Sequence, residues 1–153
     1  MADHNLEDDF PNLNDERWEK TSEPAGYNCI AWSLYDTRQW WELIGVPVRG
    51  YYWPPGIERD DTIDSWISIF EIHGYRVCAD AELEPDFEKV AIYVKDNKPE
   101  HVTRQLITGA WTSKLRPDEE ITHSTLQCLA GEIYGAIGIV LKRRRRLPSA
   151  ERP

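Results

Sequence analysis

Apolar and polar positions along the chain follow one rhythm up to about residue 74 and another after it. Ile63, Trp66, Ile67 and Phe70 recur at i, i+3, i+4 and i+7, the stripe of an amphipathic helix. Asp60-Asp61-Thr62 supplies its cap, Asp64 complements its N-terminus and Gly74 stops it, so a helix is predicted over roughly 62–73. His73 falls in the last turn, where an imidazolium suits the negative end of the helix dipole, and reads as structural. Upstream, Asn28 or Cys29 opens another helix. Ile30, Ala31 and Leu34 form its apolar face, and Trp40, Trp41, Leu43 and Ile44 continue that character to Gly45, with a break at Asp36-Thr37. Gly45 to Gly56 contains Pro47, Tyr51, Tyr52, Trp53, Pro54 and Pro55, which excludes a regular interior element. This aromatic loop is either a packed cover or a groove wall, with Tyr52 and Trp53 as the groove residues.

Beyond Gly74 the period becomes two. Tyr75–Cys78 is a short strand and 79–87 an acidic loop. Lys89–Val94 is a strand ended by Asp96-Asn97-Lys98-Pro99, and His101–Ile107 is the next. Thr108-Gly109 turns the chain and Ala110–Leu115 returns. Pro117-Asp118-Glu119-Glu120 reads as the start of a short helix reaching about Leu129, and Tyr134–Leu141 is a final strand. Helices first, then strands joined by short turns, define an α+β class: N-terminal helices packed on a mainly antiparallel sheet.

Composition narrows the setting. The chain has 153 residues, 41% of them hydrophobic, with seven Trp and seven Tyr, enough for one domain with a core that needs no staples. Three cysteines without a CxxC spacing exclude a disulfide framework and a zinc knuckle, and fit a reducing compartment. Cys29, His101 and His123 could supply three metal ligands, but no close ligand pair exists, so neither metal nor cofactor is expected. No apolar run approaches the ~20 residues of a membrane span. Met1-Ala2-Asp3-His4 lacks a signal-peptide pattern, so the expected location is the cytoplasm, or outside the cell by a dedicated secretion system.

The net charge is −9, unevenly spread. Eight acids crowd residues 1–25, while Lys142 and Arg143–Arg146 make a basic run near the end. On so acidic a chain that run is not a nucleic-acid face. It reads as a solvated tail that can pair with the acidic N-terminus. The expected division is an acidic lead-in over 1–24, anchored by Phe10 and Trp18, a folded domain over 25–142, and a basic tail over 143–153.

Candidate chemistry centres on Tyr27–Leu34, which follows Gly26 and delivers Cys29 to the first turn of a helix. Unpaired backbone N–H groups and the dipole favour a thiolate there. Cys78 and Cys128 sit among apolar neighbours and read as core. A thiolate nucleophile needs a base, and His101, at the beginning of a strand, is the candidate. The imidazole would take the thiol proton and return it to the leaving group, while the Asn28 amide and the Cys29 N–H could donate to the oxyanion. Alternation puts His101, Thr103 and Gln105 on one strand face. Gln105 is about 13 Å from His101, too far to orient it. A two-residue turn at 108–109 would set Thr103 opposite Lys114, and a three-residue loop would bring Ser113 or Leu115 there instead. Ser113, Lys114 and His123 are the candidates for a third member, with Glu120 and Asp96 behind them. His123 also reads as a histidine making a structural bond.

These residues carry a resemblance. Tyr-Asn-Cys-x-Ala-Trp at 27–32, Lys-Val-Ala-Ile-Tyr at 89–93, His-Val-x-Arg-Gln at 101–105, Trp-Thr-Ser-Lys-Leu at 111–115 and Ile-x-His at 121–123 resemble an uncharacterised bacterial domain family over roughly 25–142. That family is similar to papain-like cysteine hydrolases of the NlpC and CHAP type. The resemblance implies a papain-like fold with Cys29 as nucleophile, His101 as base and a polar third residue on the next strand. Thr103 and Arg116 depart from the family pattern, which tends to a small residue and a glycine there. The implied activity is that of a cysteine hydrolase or acyl transferase on peptide or amide bonds, with a peptide or protein substrate; a bacterial effector role would fit a small stand-alone domain. The alternative is a non-catalytic domain of the same fold that binds a protein partner through the aromatic loop and charged termini.

Overall fold

The alternating stretches after Gly74 form strands, and a strand from the N-terminal segment joins them in one sheet. The computed structural model describes residues 6–15, 18–22, 28–35, 40–41, 51–58, 62–116 and 119–145. In chain order the strands are β1 (Trp18–Ser22), β2 (Trp40–Trp41), β3 (Tyr51–Tyr52), β4 (Arg76–Cys78), β5 (Phe87–Lys95), β6 (Lys98–Gln105), β7 (Trp111–Arg116), β8 (Glu119–His123) and β9 (Ala136–Arg144). The helices are α1 (Leu6–Asp9), α2 (Cys29–Ser33) and α3 (Ile63–Glu71), with 3-10 turns at Pro11–Asp15 and Leu126–Leu129. Seven strands run in the order β1-β8-β7-β6-β5-β9-β4, every neighbouring pair antiparallel. The two remaining short strands, β2 and β3, pair in parallel apart from it. The architecture is therefore α+β with an antiparallel sheet and few helices. None of the described helices is long and apolar enough to cross a membrane.

Strand alternation divides the core in two. Val90, Ile92, Val102 and Leu141 point to one face and pack on Ile30 and Ala31 of α2, on Trp53, and on Trp66, Ile69 and Phe70 of α3. Tyr93 and Ile121 point to the other, where Leu6, Phe10, Leu13, Cys128 and Leu129 cover them. We call these the α2/α3 face and the far face. Phe10 and Trp18 thus anchor the N-terminal segment on the far face.

Local signals explain most of these elements. Thr62 caps α3 by accepting from the Ser65 N–H at 3.1 Å, and Asn28 caps α2 by accepting from the Ala31 N–H at 3.2 Å. Asp96 and Asn97, both at positive φ, close a two-residue hairpin between β5 and β6.

Several expectations need correction. The hairpin is tight enough for β6 to begin at Lys98, so His101 lies within the strand and not at its beginning. The helix expected over 117–129 is instead β8 followed by a 3-10 turn, because β1 and β7 flank β8 and its Ile121 and His123 are buried on alternate positions. Trp40-Trp41 extends no helix. The helix stops within five residues, where Tyr35 adopts φ +64, and the two tryptophans pair with Tyr51-Tyr52. The basic run is not wholly a tail, since β9 runs through Arg144 and Arg143 donates to the buried Glu88 at 2.8 Å. Gly26, Tyr27, the first part of the aromatic loop, Asp60-Asp61, Pro117-Asp118 and Arg146 onward lie outside the described residues.

Candidate site on two faces of the sheet

Helix α2 rests on the α2/α3 face. Trp32 Nε1 donates to Thr112 Oγ1 at 3.0 Å, and the Arg104 guanidinium lies 5.0 Å from the Trp32 ring centre. Cys29 packs with this cluster. The residue is half-buried, but its sulfur is enclosed. Burial pushes its thiol up to about 11, and the N–H groups of Val102, Ile30 and Cys29 and the charge of Lys114 offset only part of that rise. Near neutral pH the group is a thiol.

His101 points the other way. It shares the far face with Tyr93, its direct partner on β5, and its ring stacks on Tyr134 with centres 4.3 Å apart and planes 1° apart. Its Nε2 is buried and makes no hydrogen bond. Burial holds its imidazole well below the usual range, and His123 adds to that depression. Cys29 and His101 are thus not brought together: the sheet lies between them.

The candidates for a third member divide likewise. Lys114 acts on Cys29 from the α2/α3 face. Ser113 and His123 join Thr103 on the far face, where the single Ser113 hydroxyl proton is shared between Thr103 Oγ1 at 2.7 Å and His123 Nε2 at 2.9 Å. Thr103 donates onward to the Thr112 carbonyl at 2.9 Å. His123 Nδ1 donates to the Thr125 carbonyl at 2.8 Å, and burial lowers His123 to about 4 despite that bond. The neutral ring therefore carries its proton on Nδ1 and accepts at Nε2. The hairpin register pairs Gln105 with Trp111, and the Leu106 N–H donates to the Ala110 carbonyl at 2.7 Å, so the turn is the three-residue alternative that sets Ser113, and not Lys114, beside Thr103.

Asn28 uses its side-chain oxygen in capping α2. Trp53 is buried in the core of the α2/α3 face, and its Nε1 donates to the Ile57 and Glu58 carbonyls of its own loop at 3.3 and 3.0 Å. Tyr52 packs half-buried against the same core. Among the described residues no group of three or more His, Cys, Asp and Glu side chains is placed to hold a metal ion.

Sequence reasoning passed over Arg104, Tyr35 and Glu88. Tyr35 donates to Glu88 at 2.6 Å and lays its ring 4.1 Å from the Arg104 guanidinium. The available signal was an arginine alternating with Val102 on a strand face otherwise turned to the core.

A neutral thiol on one face, a histidine–hydroxyl network on the other and an antiparallel sheet between them define a small α+β domain with two separate polar clusters. The chain belongs to the family described as Domain of unknown function (DUF7689), whose model matches residues 18–142, from the start of β1 almost to the end of β9. No curated protein and no solved structure matches it.

Proposed function

We propose that the chain is a non-catalytic binding domain built on a papain-like plan, and not a cysteine hydrolase. The placement of Cys29 and His101 on opposite faces of the sheet supports this reading most. Proton transfer from a thiol to an imidazole requires hydrogen-bond reach, directly or through one water. Protonation agrees, since burial favours the neutral form of both groups. A papain-like plan draws its support from the helix-borne Cys29 ahead of an antiparallel sheet whose β6 carries His101. The N–H groups directed at the Cys29 sulfur speak for the hydrolase, yet burial outweighs them.

Iodoacetamide alkylation of Cys29, mapped by peptide mass spectrometry across pH, separates the two. A binding domain should show a rate still climbing toward pH 11 and unchanged by His101→Ala. An inflection well below the ~8.5 of a free thiol, removed by His101→Ala, would restore the hydrolase reading.

A further inference from the structure

The geometry points to a carboxylate-binding site centred on Arg104, on the α2/α3 face. The residue is 2% exposed, and its Nε and Nη2 are buried without a hydrogen-bond partner. Two other buried cations are supplied with acceptors. Lys89 meets Glu84 at 2.8 Å and Asp80 at 3.2 Å, and Arg143 meets Glu88 at 2.8 Å and the His73 carbonyl at 2.9 Å. Among the described residues, Arg104 has only the rings of Trp32 and Tyr35 beside it. Glu88, the carboxylate of this cluster, is already taken by the Tyr35 hydroxyl and Arg143. Among Arg104, Arg143 and Glu88 one positive charge is left over. A second unanswered donor lies in the same cluster: the Tyr75 hydroxyl is buried without a partner, its ring 4.6 Å from the Arg143 guanidinium and its phenol within electrostatic reach of Arg104.

A desolvated guanidinium without an acceptor is costly, and a bound anion removes that cost. The Nε–Nη2 edge is the fork that takes a carboxylate with two parallel hydrogen bonds. The neighbouring Glu88 favours a monoanion, because it repels the second charge of a phosphate. Aromatic rings around the guanidinium suit a carboxylate that carries an apolar body. Two sources share this chemistry, a small organic acid and the C-terminus of a peptide.

This inference deepens the binding reading and rests on it, but it is tested on a different side chain from Cys29, so either can fail alone. Acetate, benzoate, inorganic phosphate and an N-acetylated dipeptide with a free or an amidated C-terminus are titrated into the full chain. The Arg104 Nε–H resonance and the thermal midpoint are followed together. Free carboxylates should shift that resonance saturably and raise the midpoint, and the amidated peptide should do neither. Benzoate ahead of the peptide marks a small-acid site, and the reverse marks a peptide-terminus site. Arg104→Met should abolish the response and leave the ligand-free protein at least as stable as the parent, because it removes an uncompensated charge. If that variant does not fold, the resonance in the parent protein decides. A resonance unmoved by every carboxylate up to about 100 mM, well past saturation for a millimolar ion pair, overturns the site. A response to phosphate as strong as to carboxylate overturns the ligand class.

Discussion

At the scale of single residues, His123 gains its place from both ring nitrogens: Nδ1 on the Thr125 carbonyl and Nε2 toward Ser113. Ser113→Ala leaves Nε2 and Thr103 Oγ1 short of a buried partner and should cost on the order of 1–3 kcal/mol, read from urea denaturation. The pH dependence has a definite sign. His123 titrates near 4 in the folded chain and near 6.5 when unfolded, and His101 is depressed in the same direction. Between those values the unfolded chain binds more protons, so the stability from keeping the rings neutral is complete above roughly pH 6.5. It is lost as pH falls toward 4. For His123 alone the loss is on the order of 3 kcal/mol. Urea midpoints should therefore drop between pH 7.5 and 5, and His123→Gln should flatten that drop. His123 was readable from the sequence as a structural histidine, but its partners depend on which residues β1 and β7 set beside it.

At the scale of elements, the sequence speaks clearly wherever the signal is local. The stripe from Ile63 to Phe70, the Thr62 cap, the alternation along β5 and the return through β7 are all contained within a few residues. β8 is not, because five residues gain strand identity from β1, about a hundred positions earlier, and from β7. In the same way, the face that His101 presents follows from the two-residue hairpin at Asp96-Asn97 and the bulge between Tyr93 and Val94. Spacing from Cys29 carries no information on either. One element is fixed by glycine. Gly135 sits at φ +79, exchanges hydrogen bonds with Gly131, and has no room for a side chain, since a Cβ there would lie 2.1 Å from the Val94 carbonyl oxygen. Gly135→Ala should destabilise by about 3 kcal/mol or more through strain and backbone displacement, measurable by thermal denaturation.

At the scale of the whole molecule, the far face is finished by residues that the family match does not include. Leu6, Phe10 and Leu13 are buried against Ile121, Cys128 and Leu129, and Asn12 donates to the Gln127 carbonyl at 2.9 Å. Fully burying such a side chain is worth about 1.5–3 kcal/mol. A chain lacking residues 1–15 should lose on the order of 5 kcal/mol and bind a hydrophobic dye, whereas neutralising two of its acids, by Glu7→Gln and Asp8→Asn, should not. Composition marked the segment as an acidic lead-in, and its three buried apolar residues were too sparse to announce a docked element.

The strand order sets a timetable for assembly. β1 has its neighbour in β8, and β5 gains its second neighbour, β9, only when the chain has passed residue 136. A ribosome releases the N-terminal segment long before either partner exists, so Phe10, Trp18 and the unsealed edge of β5 wait in the open until the last strand emerges. Contacts this distant in sequence make for slow closure and leave unpaired edges exposed meanwhile. A crowd of acids around Phe10 and Trp18 is well suited to that interval, keeping waiting chains apart by charge until the sheet can close over them.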